Sequence, residues 1–216
     1  MGALGLGRSY GITSSVLGRG VPGILESGLW AAVDGMPPAT TIGLVTDVGN
    51  DIMYNVEVPQ ILAWVTEAVT RLERHATSIV IAGLPVEGER QLTEWQFRWL
   101  RHILVPSCRL THDELRRRAG QVNDGLRALA AERGHRFESL DSSWYGFDPI
   151  HIRYRHWRTA WARILGVPAG TAWRGSLPEA VRLHLRRPER EWFLGMERRR
   201  AQHGARLTGG GRVWLF

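Results

Sequence analysis

The segment Asp148-Pro149-Ile150-His151 has the residue types for acid–base chemistry. A carboxylate three residues before an imidazole can accept a hydrogen bond from one ring nitrogen and leave the other nitrogen free to act as a base. Such a base needs a nucleophile and donors for an oxyanion, which other segments must supply. Ser9 in Gly7-Arg8-Ser9-Tyr10-Gly11 offers a hydroxyl, and Asn50 in Val48-Gly49-Asn50-Asp51 offers an amide. Together these residue types indicate attack of a serine on an acyl group.

The elements predicted around these residues bring them to one place. Apolar, β-rich runs predict strands at 3–6, 41–46, 78–82 and 137–140, and apolar residues at helical spacing predict helices at 24–32, 58–72, 89–104, 111–134 and 157–165. Alternating strands and helices favour a mostly parallel sheet, covered on both faces. Ser9, Asn50 and His151 each follow a predicted strand. We therefore expect them to meet at the carboxyl edge of the sheet, where such folds bind ligands.

Composition limits the class of protein. The chain has 216 residues, which suits one α/β domain with an appendage, and no run approaches the length of a membrane span. The net charge is +7 and the chain contains no lysine, but its arginines are spread along the sequence, so a nucleic-acid partner is the less favoured interpretation. A single cysteine, Cys108, excludes an internal disulfide and favours a reducing, cytoplasmic compartment.

Four segments in this order resemble the SGNH hydrolases, also called the GDSL esterase/lipase family. Gly7-Arg8-Ser9 resembles the first block and Gly20-Val21-Pro22-Gly23 the second, while the Asn50 and Asp148 segments resemble the last two. The resemblance implies a flavodoxin-like three-layer sandwich over residues 1–166, reduced around the second strand. It also implies an ester hydrolase without cofactor or metal, acting on a small-molecule or carbohydrate ester.

The resemblance also assigns roles. Ser9, Asp148 and His151 would form the catalytic triad, and Gly23 and Asn50 would donate to the oxyanion. Substrate-binding candidates next to these residues are Arg8, Tyr10, Trp144 and Tyr145. This chain departs from the family pattern in having Arg8 where the family has an aspartate, and in the short interval between Ser9 and Gly23.

Each site residue also has a structural interpretation. Ser9 could form a turn, Asn50 and Asp148 could cap helices, and His151 could be a surface histidine. The corresponding alternative function is a non-catalytic binding protein that keeps the fold and uses a basic surface for an anionic partner. We expect the Ser9 hydroxyl to be exposed. We also expect Arg8 to pair with a carboxylate near the sheet edge, such as Asp47 or Asp51.

Residues 167–216 form a tail rich in tryptophan and arginine. A helix is predicted at 178–187 and a flexible turn at Gly209-Gly210-Gly211. An exposed tail with this composition would be prone to aggregate, so we expect Trp173 and Trp192 to pack on the domain, with the arginines facing outward.

Overall fold

The computed structural model describes residues 1–3, 7–16, 19–85, 93–95, 97–98, 105–146, 151–168 and 177–216. The strands in these residues are β1 (Ser14–Val16), β2 (Arg19–Val21), β3 (Ile42–Val45), β4 (Ser78–Ala82), β5 (Arg136–Glu138), β6 (Arg190–Phe193), β7 (Met196–Arg199), β8 (Ala205–Arg206) and β9 (Arg212–Val213). The α-helices are α1 (Leu29–Asp34), α2 (Gly49–Met53), α3 (Val58–Glu73), α4 (His112–Arg133), α5 (Trp157–Leu165) and α6 (Leu177–His184).

Ala39–Gly170 is one compact unit, called here the parallel-sheet unit. Its sheet has the order β3-β4-β5, and both strand pairs are parallel. Helices connect the successive strands, as expected for parallel strands that need crossover connections. The predicted mixture of strands and helices with a parallel sheet is confirmed here.

Two long helices bury apolar stripes in this unit. Ile61, Val65 and Val69 of α3 and Val122 and Leu126 of α4 are all fully buried. The Thr111 hydroxyl accepts a hydrogen bond from Glu114 N at 3.2 Å, so the predicted cap begins α4. The helix ends at Gly134, whose φ of 68° is accessible to glycine at little cost.

Met1–Pro38 and Thr171–Phe216 form the second compact unit, called here the terminal unit. Its sheet has the order β1-β2-β6-β7 with antiparallel pairs, and β8 pairs with β9 separately. Buried Glu191 accepts a hydrogen bond from Arg19 Nε at 2.5 Å and from Arg200 Nη1 at 2.6 Å. These ion pairs join the first and last segments of the chain within one unit.

The structure differs from the sequence prediction at the amino terminus. No strand was predicted in residues 7–23, but β1 and β2 form a hairpin there, and the predicted helix at 24–32 is a short 3₁₀ turn followed by α1. The predicted domain contained residues 1–38, whereas the structure groups them with the tail because β2 pairs with β6. Most of the strand at 3–6 and of the helix at 89–104 lies outside the described residues.

The tail holds more structure than its composition suggested. Besides α6, which matches the predicted helix, it contains the β6–β7 hairpin and the β8–β9 pair around the predicted glycine turn. Trp192 packs beside Gly20 of β2, and Trp173 lies outside the described residues. No helix in the described ranges is long and apolar enough to cross a membrane.

Candidate active site

Ser9 lies in a tight loop of the terminal unit. Its Oγ accepts hydrogen bonds from Gly11 N at 3.2 Å and Ile12 N at 3.1 Å, and its own N–H donates to Ser14 Oγ at 3.3 Å. The side chain is 0 % exposed. The expectation of an exposed hydroxyl is therefore wrong, because the loop folds back over Oγ to use it as an acceptor. These hydrogen bonds orient the Ser9 hydroxyl and also satisfy two backbone N–H groups of its own loop.

Gly23 lies directly against this loop. A Cβ at Gly23 would approach the carbonyl carbon of Gly11 to 2.9 Å and the oxygen of Tyr10 to 3.0 Å, which no side chain can do without moving backbone. Two hydrogen bonds hold the segments together: Ile24 N donates to Ser9 O and Leu25 N donates to Tyr10 O, each at 3.0 Å. The structure thus brings the first two sequence blocks together.

Arg8 is a buried anchor beside the nucleophile candidate. Its guanidinium is 2 % exposed and donates from Nε to Pro22 O at 2.7 Å and from Nη1 to the backbone oxygen of Phe216. Burial lowers the pKa of the Arg8 guanidinium to about 10, and the charge of Glu189 partly offsets this effect. The side chain therefore joins three chain segments, and Arg8 and its neighbour Tyr10 are both placed in the interior.

In the parallel-sheet unit, the segment after β3 forms the carboxyl edge of the sheet. Asp47 follows the strand with a φ of 60°, and its carbonyl accepts a hydrogen bond from Asn50 N at 3.2 Å. Val48 is the N-cap of α2, so Asn50 belongs to the first helical turn and is not the cap residue. Asn50 is half-buried at this edge.

The segment that carries His151 is fixed against a second loop at the same edge. Arg153 N donates to Trp144 O at 2.9 Å, and Arg153 Nη2 donates to Ser143 O at 2.6 Å. Trp144 and Tyr145 are both 7 % exposed and pack in one apolar cluster with Ala82 of β4 and with Leu44 of β3. His151 itself is exposed.

Electrostatics link Asp47 to this histidine. Burial raises the pKa of the Asp47 carboxyl, and the nearby charge of His151 lowers it in part. Burial also raises the pKa of the Tyr145 phenol, to which the negative charge of Asp47 contributes. Asp47 as a whole residue remains exposed, so solvent screens these effects and their energetic weight is small. The Asp47 carboxyl therefore interacts electrostatically with both His151 and Tyr145 at the carboxyl edge of the sheet.

The predicted site residues fall into two groups. Ser9, Gly23, Arg8 and Tyr10 belong to the terminal unit, and Asn50, Trp144, Tyr145 and His151 belong to the parallel-sheet unit. Asp148 lies outside the described residues.

Two residues of the parallel-sheet unit were missed as site candidates. Asp47 was considered only as a partner for Arg8, although a carboxylate directly after a buried strand is a site signal in itself. Asn123 of α4 holds the end of β4 by accepting from Leu84 N at 2.7 Å and donating to Leu84 O at 3.1 Å. The sequence signal for Asn123 was a polar residue on the otherwise apolar face of α4.

A cavity of about 560 Å³ lies at the opposite edge of the sheet. It is lined by the starts of β4 and β5 and by the ends of α3 and α4, with Glu73 Oε1 at 2.9 Å from His135 Nε2. Glu73 also interacts with Arg133, so this pair belongs to a structural ion network. In the part of the chain that the structure describes, no cluster of histidine, cysteine and acidic residues could hold a metal ion.

No known protein family, curated protein or solved structure matches this chain. The likeness to the SGNH hydrolases therefore depends on the four sequence blocks and on the positions of their residues.

Asp47→Asn should stabilise the protein slightly. Asparagine tolerates the left-handed conformation and carries no charge to desolvate, so we expect a gain of about 0.5 kcal/mol at neutral pH, kept small by solvent screening. The raised pKa means that folding disfavours the ionised carboxyl, so wild-type stability should fall as the pH rises above the ordinary aspartate value. The gain should therefore shrink towards about pH 3, where the wild-type carboxyl is protonated in both states.

Thermal melts of Asp47→Asn across this pH range measure the effect, with exposed Asp34→Asn as the control. A variant less stable than wild type at neutral pH would contradict the conclusion that folding raises the pKa of Asp47. A gain in stability that grows towards acid pH would contradict it as well.

Proposed function

We propose that this chain is a serine hydrolase of the SGNH type that cleaves carboxylic esters. The observation that supports this most is the position of His151 beside Asp47 and the Asn50 segment at the carboxyl edge of a parallel sheet. The ordered sequence blocks give further support, as does the close approach of Gly23 to the Ser9 loop. The finer fold proposal is a flavodoxin-like sandwich around this sheet. The single cysteine supports a reducing, cytoplasmic setting.

The chemistry follows from the residue types. His151 takes the proton of Ser9 as the hydroxyl attacks the ester carbonyl, and a tetrahedral oxyanion forms. The Asn50 amide and the Gly23 N–H donate to that oxyanion, and His151 then protonates the leaving alcohol. Water then attacks the acyl group on Ser9 through the same two proton transfers and releases the carboxylic acid. Asp148 orients His151, and Asp47 adds a second negative charge near the imidazolium that forms.

His151→Ala should lower turnover of an aryl ester by about 10³-fold, because the hydroxyl of serine needs a general base. The histidine is exposed, so the melting temperature should stay close to that of the wild type. A panel of aryl esters of graded chain length, with acetylated sugars, gives the substrate class. His156→Ala, five residues along the same segment, is the matched control and should retain activity. Full activity in His151→Ala would rule out the proposed base.

A non-catalytic binding protein is the second candidate, and one observation favours it. The Ser9 hydroxyl is fully buried and already accepts two backbone hydrogen bonds, so a hydrolase needs a rearrangement that exposes Oγ. A binding protein needs no such change. Absence of turnover on every ester of the panel by well-folded protein would favour this candidate.

A further inference from the structure

The hairpin formed by β6 and β7 has an unusual turn. Leu194 and Gly195 connect the strands with φ values of 49° and 79°, and Phe193 pairs with Met196 on either side. Positive φ at both loop positions is the two-residue turn for which Asn-Gly is strongly preferred. A leucine in the left-handed conformation lacks the local hydrogen bond that makes asparagine tolerable there. Folding stability therefore does not explain Leu194.

The turn is also exposed and apolar. Leu194 is 74 % exposed and Met196 is 58 % exposed. Neither side chain is buried in this unit, so the hairpin carries an apolar tip at the position where a polar turn would be more stable. A residue that is unfavourable both for its conformation and for its solvation indicates a role outside the fold.

Arginines surround the stem below this tip. Residues 186–200 contain six arginines and three glutamates, and Glu191 among them is buried. Arg198 lies with its guanidinium 5.1 Å from the Phe193 ring, and Arg190 lies 4.7 Å from the Trp192 ring. Arg199 is 70 % exposed. Glu197 pairs with Arg190 and Arg199, and Glu191 pairs with Arg187 and Arg200, but six arginines against three glutamates leave residues 186–200 with a net charge of +3. The hairpin thus combines an apolar end with a cationic stem.

We propose that the β6–β7 hairpin docks on an anionic lipid surface, with Leu194 and Met196 entering the interface and the stem arginines at headgroup level. A convex apolar tip fits a fluid interface, whereas a protein partner would need to provide a groove of matching shape. Long arginine side chains place their aliphatic part against apolar matter and their charge at the headgroups. Anionic lipid attracts basic segments over about a Debye length. Nucleic acid is disfavoured because the two aromatic rings that could stack on bases are covered by guanidinium groups.

Co-sedimentation of the full chain with vesicles tests this proposal. The wild type should bind vesicles of phosphatidylcholine with phosphatidylserine, and binding should fall with added salt and on pure phosphatidylcholine. Leu194→Asn should weaken binding about tenfold, the equivalent of removing part of one leucine side chain from the interface. The same variant should melt at the wild-type temperature or above it, because Asn-Gly suits the turn. Met196→Thr provides a second variant at the tip.

Leu185→Asn is the matched control, since Leu185 is 71 % exposed and lies outside the hairpin. It should bind vesicles as the wild type does. Equal binding by wild type and both tip variants would overturn the proposal, as would equal binding to charged and neutral vesicles. Binding to a single-stranded oligonucleotide without binding to vesicles would also overturn it and would assign the basic stem to nucleic acid.

Discussion

Ser9→Ala is expected to abolish ester hydrolysis and to destabilise the protein. Turnover should fall by about 10⁴-fold or more, because no other group replaces the nucleophile. The free energy of unfolding should fall by about 1–3 kcal/mol, because the buried Oγ accepts hydrogen bonds from Gly11 N and Ile12 N that alanine cannot accept. Esterase assays and denaturant unfolding measure the two effects separately.

Ser27→Ala is the control for stability alone. Ser27 is another buried serine of the terminal unit, and its hydroxyl donates to Ile24 O at 2.7 Å. This variant should lose stability while keeping turnover. If Ser9→Ala retains most of its turnover, Ser9 is not the nucleophile. If the free energy of unfolding of Ser9→Ala equals that of the wild type, the hydrogen bonds to Ser9 Oγ do not stabilise the protein as described.

Arg8→Ala should cause the largest loss of stability, about 3 kcal/mol. The substitution leaves a cavity and removes the donors to Pro22 O and to the backbone oxygen of Phe216 in a buried site. Turnover of a neutral ester should fall as well, because Ser9 is the next residue. Arg8→Lys should be intermediate, since an ammonium cannot reproduce the planar fork of donors.

Exposed Arg186→Ala is the matched control for Arg8 and should have little effect on melting. A selective rise in KM for an anionic ester, with unchanged melting, would instead place the Arg8 guanidinium in the substrate pocket. The matched neutral and carboxylated esters therefore separate anchoring from substrate binding.

The sequence predicted the parallel-sheet unit well because its signals are local and periodic. Strand β4 matches its predicted bounds, and α3 and α5 begin and end within a residue of theirs. In the same way, the capping residues Thr111 and Gly134 define the beginning and the end of α4. These elements depend on apolar spacing and capping chemistry, which short windows of sequence contain.

The terminal unit could not be predicted in this way. Strands β1 and β2 are three residues each; β1 pairs with β2, and β2 gains stability from pairing with β6, about 170 residues further along the chain. The buried position of Ser9 likewise depends on Gly23 and on the hydrogen bonds of its own loop. In the parallel-sheet unit, the position of Asp47 after a buried strand was a sequence signal, but its left-handed conformation and its electrostatic interaction with His151 are visible only in the structure.

Labelling with a fluorophosphonate tests the central claim most directly. The probe phosphonylates only a serine that a neighbouring base activates. We predict a single modified peptide that contains Ser9, with no label on Ser9→Ala and slow labelling of His151→Ala. A well-folded protein that takes up no label, or that is labelled at another serine, would contradict the assignment of Ser9 and His151 as nucleophile and base.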